Sequence, residues 1–135
     1  MRANVLMRVT YVILTILLAS AGKGVAQHMN AKDAPCQTGP NSEQSQCFIT
    51  QAHVADQELN LVYDKIRKIL SSAGQSKSQI AQRLWVQFRD ANYAAERELY
   101  GGGTAAPMVH AACLAADTRQ RTAELKLIYG WRLEK

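Results

Sequence analysis

Six polar and aromatic residues have side chains that could bind a ligand or a partner, and they lie within strongly amphipathic helical patterns. They are Asn60, Tyr63, Trp85, Arg89, Asp90 and Arg121. An amide, guanidinium or carboxylate beside an apolar seam costs free energy unless it is paired. Two roles are therefore open. Arg89 or Arg121 could bind Asp90 or Asp56 in a polar clasp that fixes helix register, or the set could form a binding site.

Enzyme chemistry has little support in the sequence. The three histidines are scattered, no serine lies in a nucleophile elbow, and no glycine-rich phosphate loop follows a strand. His53 and Asp56 are spaced to share a helix face, but one such pair does not make a metal site. We therefore predict no catalytic residue, no cofactor and no metal, and a protein that is not an enzyme.

The two tryptophans invite different interpretations. Trp85 follows the apolar seam position Leu84 directly, and we predict that it packs in or beside the core because tryptophan buries a large area. Trp131 lies beyond the last strong periodicity. It could cover the end of a bundle or form a surface hot spot for a partner.

The first 26 residues have the pattern of a secretory signal peptide. Arg2 and Arg8 precede an apolar stretch at 9–21, and Gly24-Val25-Ala26 supplies the small residues that signal peptidase requires. The stretch is shorter than the roughly 20 residues that span a bilayer. We expect cleavage after Ala26 and a periplasmic or secreted protein with no stable membrane anchor. The alternative is a retained anchor.

Charge and cysteine content agree with export. From residue 27 onward, thirteen Lys or Arg face eleven Asp or Glu, a net charge of +2, whereas the whole chain carries +5. A net charge this small does not indicate binding to nucleic acid or to an anionic membrane. Cys36, Cys47 and Cys113 allow three alternative single disulfides in an oxidising compartment, each leaving one thiol. The sequence does not choose among them, nor does it fix the oligomeric state.

The remaining chain divides into a polar arm at 27–40 and one helical domain at 41–135. Asn41 offers an N-cap to a first helix that we expect to run to about Leu70. Its apolar positions recur every three or four residues, as in an amphipathic helix. They are Phe48, Ala52, Ala55, Leu59, Val62, Ile66, Ile69 and Ala73.

Two further helical patterns follow. We expect a turn at 71–75, a second helix from Ser76 to the glycines at 101–103, and a third helix capped by Thr104 that ends at Gly130. The second seam comprises Ile80, Leu84, Phe88, Ala91, Ala95 and Leu99, and the third comprises Val109, Ala112, Ala116, Ala123 and Leu127. Short turns favour antiparallel neighbours. The predicted fold is all-α, an elongated antiparallel three-helix bundle supported by a disulfide.

Three short motifs give the chain a family likeness. They are Leu59-Asn60-x-x-Tyr63, Gln82-x-x-Trp85-x-x-x-Arg89-Asp90 and Cys113-x4-Thr118-x-x-Arg121. In this order and spacing the chain resembles the N-terminal domain of the LprI-like lysozyme-inhibitor family, from Cys36 to about Leu127. The resemblance implies an exported, mostly helical bacterial domain, and implies lysozyme inhibition less directly.

One position departs from the family pattern. The family usually has a cysteine three residues after the aspartate of the Arg-Asp pair, and this chain has Tyr93 there. A framework of four cysteines is thus short by one, and Cys113 is the first candidate for the unpaired thiol.

Two functions follow from the resemblance. The chain could inhibit lysozyme, which in animals is generally basic, through an acidic patch or the loop at 101–105. The acidic patch would comprise Asp56, Glu58 and Asp64. The alternative is a non-inhibitory periplasmic module that binds another partner. An assay of lysozyme on a cell-wall substrate separates the two.

Overall fold

The computed structural model describes residues 36–101 and 103–134, and this part of the chain contains three helices and no strand. They are α1 (Asn41–Ile69), α2 (Ser72–Glu98) and α3 (Ala106–Leu133). The all-α prediction is thereby confirmed. The predicted signal peptide and most of the predicted polar arm lie outside the described residues and stay predictions.

Helix α1 follows the predicted seam closely. Its N-cap is Pro40, whose carbonyl accepts a 3.0 Å bond from the Gln44 amide, and it ends one residue before the expected position. The prediction that Asn41 caps this helix is wrong: Asn41 is its first residue, and no side chain caps the helix start. The seam side chains are buried along its length: Phe48, Ala55, Leu59, Val62 and Ile66. The seam prediction fails only at its end, because Ala73 belongs to α2 and is exposed.

The start of α2 corrects the predicted turn. We expected Ser76 to cap this helix, but the helix begins at Ser72 and the connection from α1 is only Leu70 and Ser71. The Ser71 hydroxyl accepts a 3.3 Å bond from the Gly74 amide, and so performs the capping role assigned to Ser76. Ser76 lies one turn inside and bonds instead to the Ser72 carbonyl at 3.2 Å. Two serines five residues apart offered equivalent signals.

The connection to α3 contains the predicted glycine stop. Gly101 has φ +55°, a left-handed conformation that glycine adopts without steric cost. Ala105, rather than the predicted Thr104, precedes the first turn of α3, which accommodates Pro107. The helix also continues through Gly130 to Leu133, so the predicted stop at Gly130 is wrong. A single glycine lowers helix propensity by about 1 kcal/mol, which neighbouring contacts can offset.

Helices α1 and α3 form the core of the molecule. Hydrogen bonds from Arg119 to Gln51 and from Lys126 to Glu58 each join residues 68 positions apart, so the two helices run parallel. One buried cluster contains Leu59, Val62, Ile66 and Leu125, and a second contains Phe48, Ala111 and Ala112. The buried stripe of α3 departs from the prediction in its second half. It passes through Thr118, Thr122 and Leu125, while Ala123 and Leu127 face solvent.

Helix α2 packs against α3 and touches α1 little. It runs antiparallel to α3, since Gln82 meets Arg121 near one end and Tyr93 meets His110 near the other. None of its residues is buried. The seam predicted to face the bundle points to solvent: Ile80, Leu84, Phe88 and Leu99 are 50–67% exposed. Helices α1 and α3 therefore form a tightly packed pair. Helix α2 packs against this pair with its more polar face.

A disulfide joins Cys36 to Cys47 across the start of α1, with the two Cα atoms 5.6 Å apart. Cys36 also packs on the cluster around Phe48. Closing a loop of this length stabilises a protein by roughly 3 kcal/mol in the chain-entropy model. Cys113 is free and buried, as expected from the missing fourth cysteine.

The described helices were also compared with the requirements of a membrane span. Within residues 36–101 and 103–134, none combines the length and the apolar character that crossing a bilayer would need.

Candidate functional site

Three α2 residues of the family motifs lie on the face that α2 turns towards α3. Gln82, Trp85 and Arg89 are spaced by three and four residues, which places them on one side of a helix. Arg121 reaches them from α3: its Nε donates a 3.2 Å bond to Gln82 Oε1. We call these four residues the Trp85 cluster. The cluster fastens α2 to α3.

Trp85 is the centre of this cluster. Its ring is partly buried against the core cluster that contains Leu59 and Leu125. The guanidinium groups of Arg89 and Arg121 lie 5.1 and 6.0 Å from the ring centroid, within the range of cation–π attraction. The apolar seam of α2 faces outward and is not buried. The Trp85 ring instead supplies apolar area to the contact, and the guanidinium groups of Arg89 and Arg121 pack against this ring.

The expected polar clasp forms only in part. Arg89 binds Asp90, one of the predicted pairings, and Asn60 binds Asp56, but each contact lies within a single helix and so does not fix the register between helices. Arg89 donates to Asp90 Oδ1 at 3.0 Å and 2.9 Å, and Arg121 donates to Glu124 at 2.6 Å, so both pairs stay within one helix. Asp90 and Glu124 are half exposed, and pairs of this kind contribute about 0–1 kcal/mol. The bond from Arg121 to α2 goes to the neutral amide of Gln82, whereas an ion pair between Lys126 and Glu58 joins α3 to α1.

Two grooves flank α2. One has a volume of about 270 Å³ and lies between α2 and α3, where its walls include Trp85, Phe88, Gln120 and Glu124. The other, of about 380 Å³, lies between α1 and α2. Tyr63 lines this second groove beside Gln82. Its hydroxyl is buried and has no hydrogen-bond partner among the described residues.

The remaining motif residues are separate from the Trp85 cluster. Asn60 is exposed on α1, where its Nδ2 donates a 3.1 Å bond to Asp56 Oδ2. Thr118 is buried in α3, and its carbonyl accepts a 2.9 Å bond from the Thr122 hydroxyl. Thr118 therefore fills a tight position in the core. The sequence motifs thus mix an interhelical contact, a surface position and a packing position.

The acidic residues considered for partner binding also divide. Asp56 and Asp64 are eight residues apart on α1 and share an exposed face. Glu58 lies roughly 160° around the helix from Asp56 at 100° per residue, and it binds Lys126 of α3. We call the face carrying Asp56, Asn60 and Asp64 the acidic stripe; at its end, the basic residues Arg67 and Lys68 line a groove together with Asp64. The acidic stripe contains two of the three carboxylates in the predicted patch.

Tyr93, the residue in place of a family cysteine, stacks on His110 with ring centroids 3.9 Å apart. His110 lies one turn before Cys113 on α3. Burial lowers the pKa of His110 and outweighs the nearby Asp90, which raises it; Arg89 and Arg97 lower it further. The imidazole is therefore held neutral.

The thiol itself is unreactive in this setting. Cys113 has no exposed surface, and its Sγ lies 3.6 Å from Asp117 Oδ2. Burial raises the pKa of the Cys113 thiol, and the carboxylates of Asp117 and Glu96 raise it further. A buried neutral thiol is a poor nucleophile and a poor metal ligand.

Sequence reasoning did not find two of the interhelical contacts. The Tyr93–His110 stack joins two residues without a shared motif, and the 3.0 Å bond from Arg119 to Gln51 links α1 to α3. Neither pair has a local signal, since both depend on helix register. Two roles were open for Trp131. It belongs to α3, is 62% exposed to solvent, and lies beside Arg132.

Among residues 36–101 and 103–134, no three His, Cys, Asp or Glu side chains come close enough together to hold a metal ion. What the described surface does offer is the acidic stripe, the two grooves and the outward face of α2. Each of these suits contact with another molecule.

Comparison with known proteins places the chain. An uncharacterized protein of Rhizobium meliloti (strain 1021) is 33% identical over 97 residues, which cover 59% of this chain and 67% of the relative. No solved structure matches significantly. The family described as "Lysozyme inhibitor LprI" matches residues 33–125, more than half of the chain. This match spans α1, α2 and most of α3, and the chain belongs to the LprI lysozyme-inhibitor family.

Proposed function

We propose that this protein is an exported envelope protein that binds lysozyme and slows its attack on peptidoglycan. The family match over residues 33–125 carries the proposal. The Cys36–Cys47 disulfide supports it, because disulfides persist outside the cytoplasm, where lysozyme acts. We propose that the exported protein is located in the periplasm.

We propose the acidic stripe of α1 as the lysozyme contact. A basic enzyme is attracted to exposed carboxylates, and Asp56 and Asp64 present two of them about 12 Å apart along α1 and about 80° apart around it. The Asn60 amide, bound to Asp56, holds one carboxylate in place. The small net charge of +2 from residue 27 onward makes a local contact of this kind more plausible than attraction by the whole protein.

A turbidity assay with lysozyme and a cell-wall substrate tests the proposal. The unaltered protein should slow lysis at micromolar concentration, and Asp56→Asn with Asp64→Asn should weaken inhibition about tenfold, equivalent to about 1.4 kcal/mol. The matched control is Glu43→Gln with Glu134→Gln, which removes the same charge from two exposed carboxylates off the stripe.

Lysozyme inhibition and the acidic stripe as its contact are tested separately. No slowing of lysis by the folded, unaltered protein would remove lysozyme inhibition and favour a non-inhibitory binding module. Equal weakening by both double variants would keep inhibition but would show that the stripe is not the specific contact.

A further inference from the structure

We propose that the outward face of α2 binds a second copy of the chain, antiparallel, about a two-fold axis near Gln87 and Phe88. This proposal does not depend on lysozyme binding. Its starting observation is that α2 is amphipathic yet exposes its apolar side: Ile80, Leu84 and Phe88 are 50%, 59% and 59% exposed. Monomeric proteins seldom expose a continuous apolar stripe of this kind.

The outward face has the same spacing when read from either end. Eight exposed positions form its central part: Lys77, Ile80, Leu84, Gln87, Phe88, Ala91, Ala95 and Glu98. Leu99 of the same seam lies beyond Glu98, at the border of the face. The steps between these positions are palindromic about a point between Gln87 and Phe88. A two-fold dimer requires such self-complementarity, because each contact from one residue to another occurs twice.

Side-chain size is complementary in this register. Ile80 meets Ala95 of the second copy, and Leu84 meets Ala91. Each large aliphatic side chain thus faces a methyl group, which lets two helices approach closely and interdigitate. Phe88 lies beside the axis, where it meets Gln87 of the second copy. Positions three and four apart alternate across the seam, as they do in antiparallel helix pairs.

Charge is complementary in the same register. The apolar part of the face carries no charged residue, and the face ends in Lys77 at one end and Glu98 at the other. Antiparallel pairing places each Lys77 opposite a Glu98, giving two ion pairs, whereas parallel pairing would oppose like charges. A lipid surface is a poorer occupant, because membrane-bound amphipathic helices carry basic residues along their polar borders and one end here is acidic.

The size of the face sets the expected affinity. From Lys77 to Glu98 the face is about 30 Å long at roughly 1.5 Å per residue. One helix pair of this length buries on the order of 1,000 Å² in total, at the small end of specific interfaces. We therefore expect a reversible dimer with a dissociation constant on the order of tens of micromolar.

Sedimentation equilibrium of the purified protein from about 5 to about 500 µM tests the dimer. The unaltered protein should pass from monomer to dimer over this range. Lys77→Glu and Glu98→Lys, each alone, should weaken the dimer about tenfold, since each turns two attractions into repulsions. The combined Lys77→Glu and Glu98→Lys variant should restore it to within about threefold.

The charge-exchange variants test both that a second copy binds this face and that Lys77 lies opposite Glu98. These residues are exposed, so the variants should fold, and circular dichroism checks this. A monomer at all concentrations would overturn the proposal, and so would single and combined variants with equal affinity. Phe88→Glu provides an independent test: it should abolish the dimer and leave lysozyme inhibition unchanged. Loss of inhibition by Phe88→Glu in a protein that never dimerises would assign the face to lysozyme instead.

Discussion

The α1–α3 pair and α2 use opposite means of attachment. In the pair, apolar side chains such as Ile66 and Val109 have no exposed surface. The contact follows the apolar periodicity of α1, whereas α3 also buries Thr118 and Thr122. Helix α2 is about as amphipathic as α1 but turns its apolar side outward, and it attaches through Trp85, Gln82 and Tyr93. The difference shows that an apolar seam predicts a helix more securely than it predicts which neighbour covers the seam.

The largest expected contrast comes from truncating one aliphatic residue in each region. Ile66→Ala should lower the free energy of unfolding by about 3–4 kcal/mol, because it leaves a cavity in the core. Leu84→Ala should change it by less than about 0.5 kcal/mol, because Leu84 is 59% exposed. Urea denaturation at low micromolar protein measures both. Similar losses at the two sites would mean that α2 buries its apolar seam in the monomer.

Removing the disulfide tests how much the α1 end depends on covalent support. Cys36→Ser with Cys47→Ser should cost about 3 kcal/mol, since the unfolded chain regains the freedom of the closed loop. Cys113→Ala keeps the bridge and should cost about 1 kcal/mol. Thermal denaturation with and without reductant compares them. A double-serine variant as stable as the unaltered protein would show that core packing alone holds this end.

Replacing each tryptophan tests the attachment of α2. Trp85→Ala should cost about 2 kcal/mol, below the value for a fully buried aromatic ring because Trp85 is partly exposed. Amide hydrogen exchange should accelerate most in α2. Trp131→Ala is the matched control and should be nearly neutral, since that ring is 62% exposed. Uniform acceleration over all three helices would contradict a separately attached α2.

The smallest expected effect is a pH dependence of the α2–α3 contact. Burial lowers the pKa of His110 in the folded protein below its ordinary value of 6.5. The contribution of neutral His110 to the free energy of unfolding is therefore complete above about pH 6.5. It declines as the pH falls through 6.5 towards the lowered pKa of the folded protein. Fluorescence-monitored denaturation between pH 7.5 and pH 5 should show this decline, and His110→Gln should reduce it. An unchanged slope in His110→Gln would assign the dependence to other groups.

Local signals in the sequence predicted much of the architecture. The predicted boundary between residues 40 and 41 is the start of α1, although Asn41 does not cap it. The glycines around Gly101 mark the gap before α3, and the spacing of Leu59, Val62 and Ile66 gives the buried side of α1. These features depend on backbone conformation and helix period, which neighbouring residues determine. The all-α fold follows from them.

Features that depend on contact between distant residues were not predicted. The motif around Trp85 and Arg89 identified residues of the α2 contact, but nothing local indicated that this side, rather than the Leu84 side, would pack against α3. The burial of Thr118 and Thr122 in place of Ala123 likewise depends on the twist of α3 against α1. The disulfide partner of Cys36 was open for the same reason.

The position of the single bridge has a consequence for proteolysis. Both of its cysteines belong to the α1 end, so no covalent bond other than the backbone joins α3 to the rest of the molecule. A protease that cuts beside the exposed Gly101 would leave α3 held to α1 only by side-chain contacts. The nicked protein should migrate intact under native conditions and separate into two fragments in denaturant, whether the cysteines are oxidised or reduced.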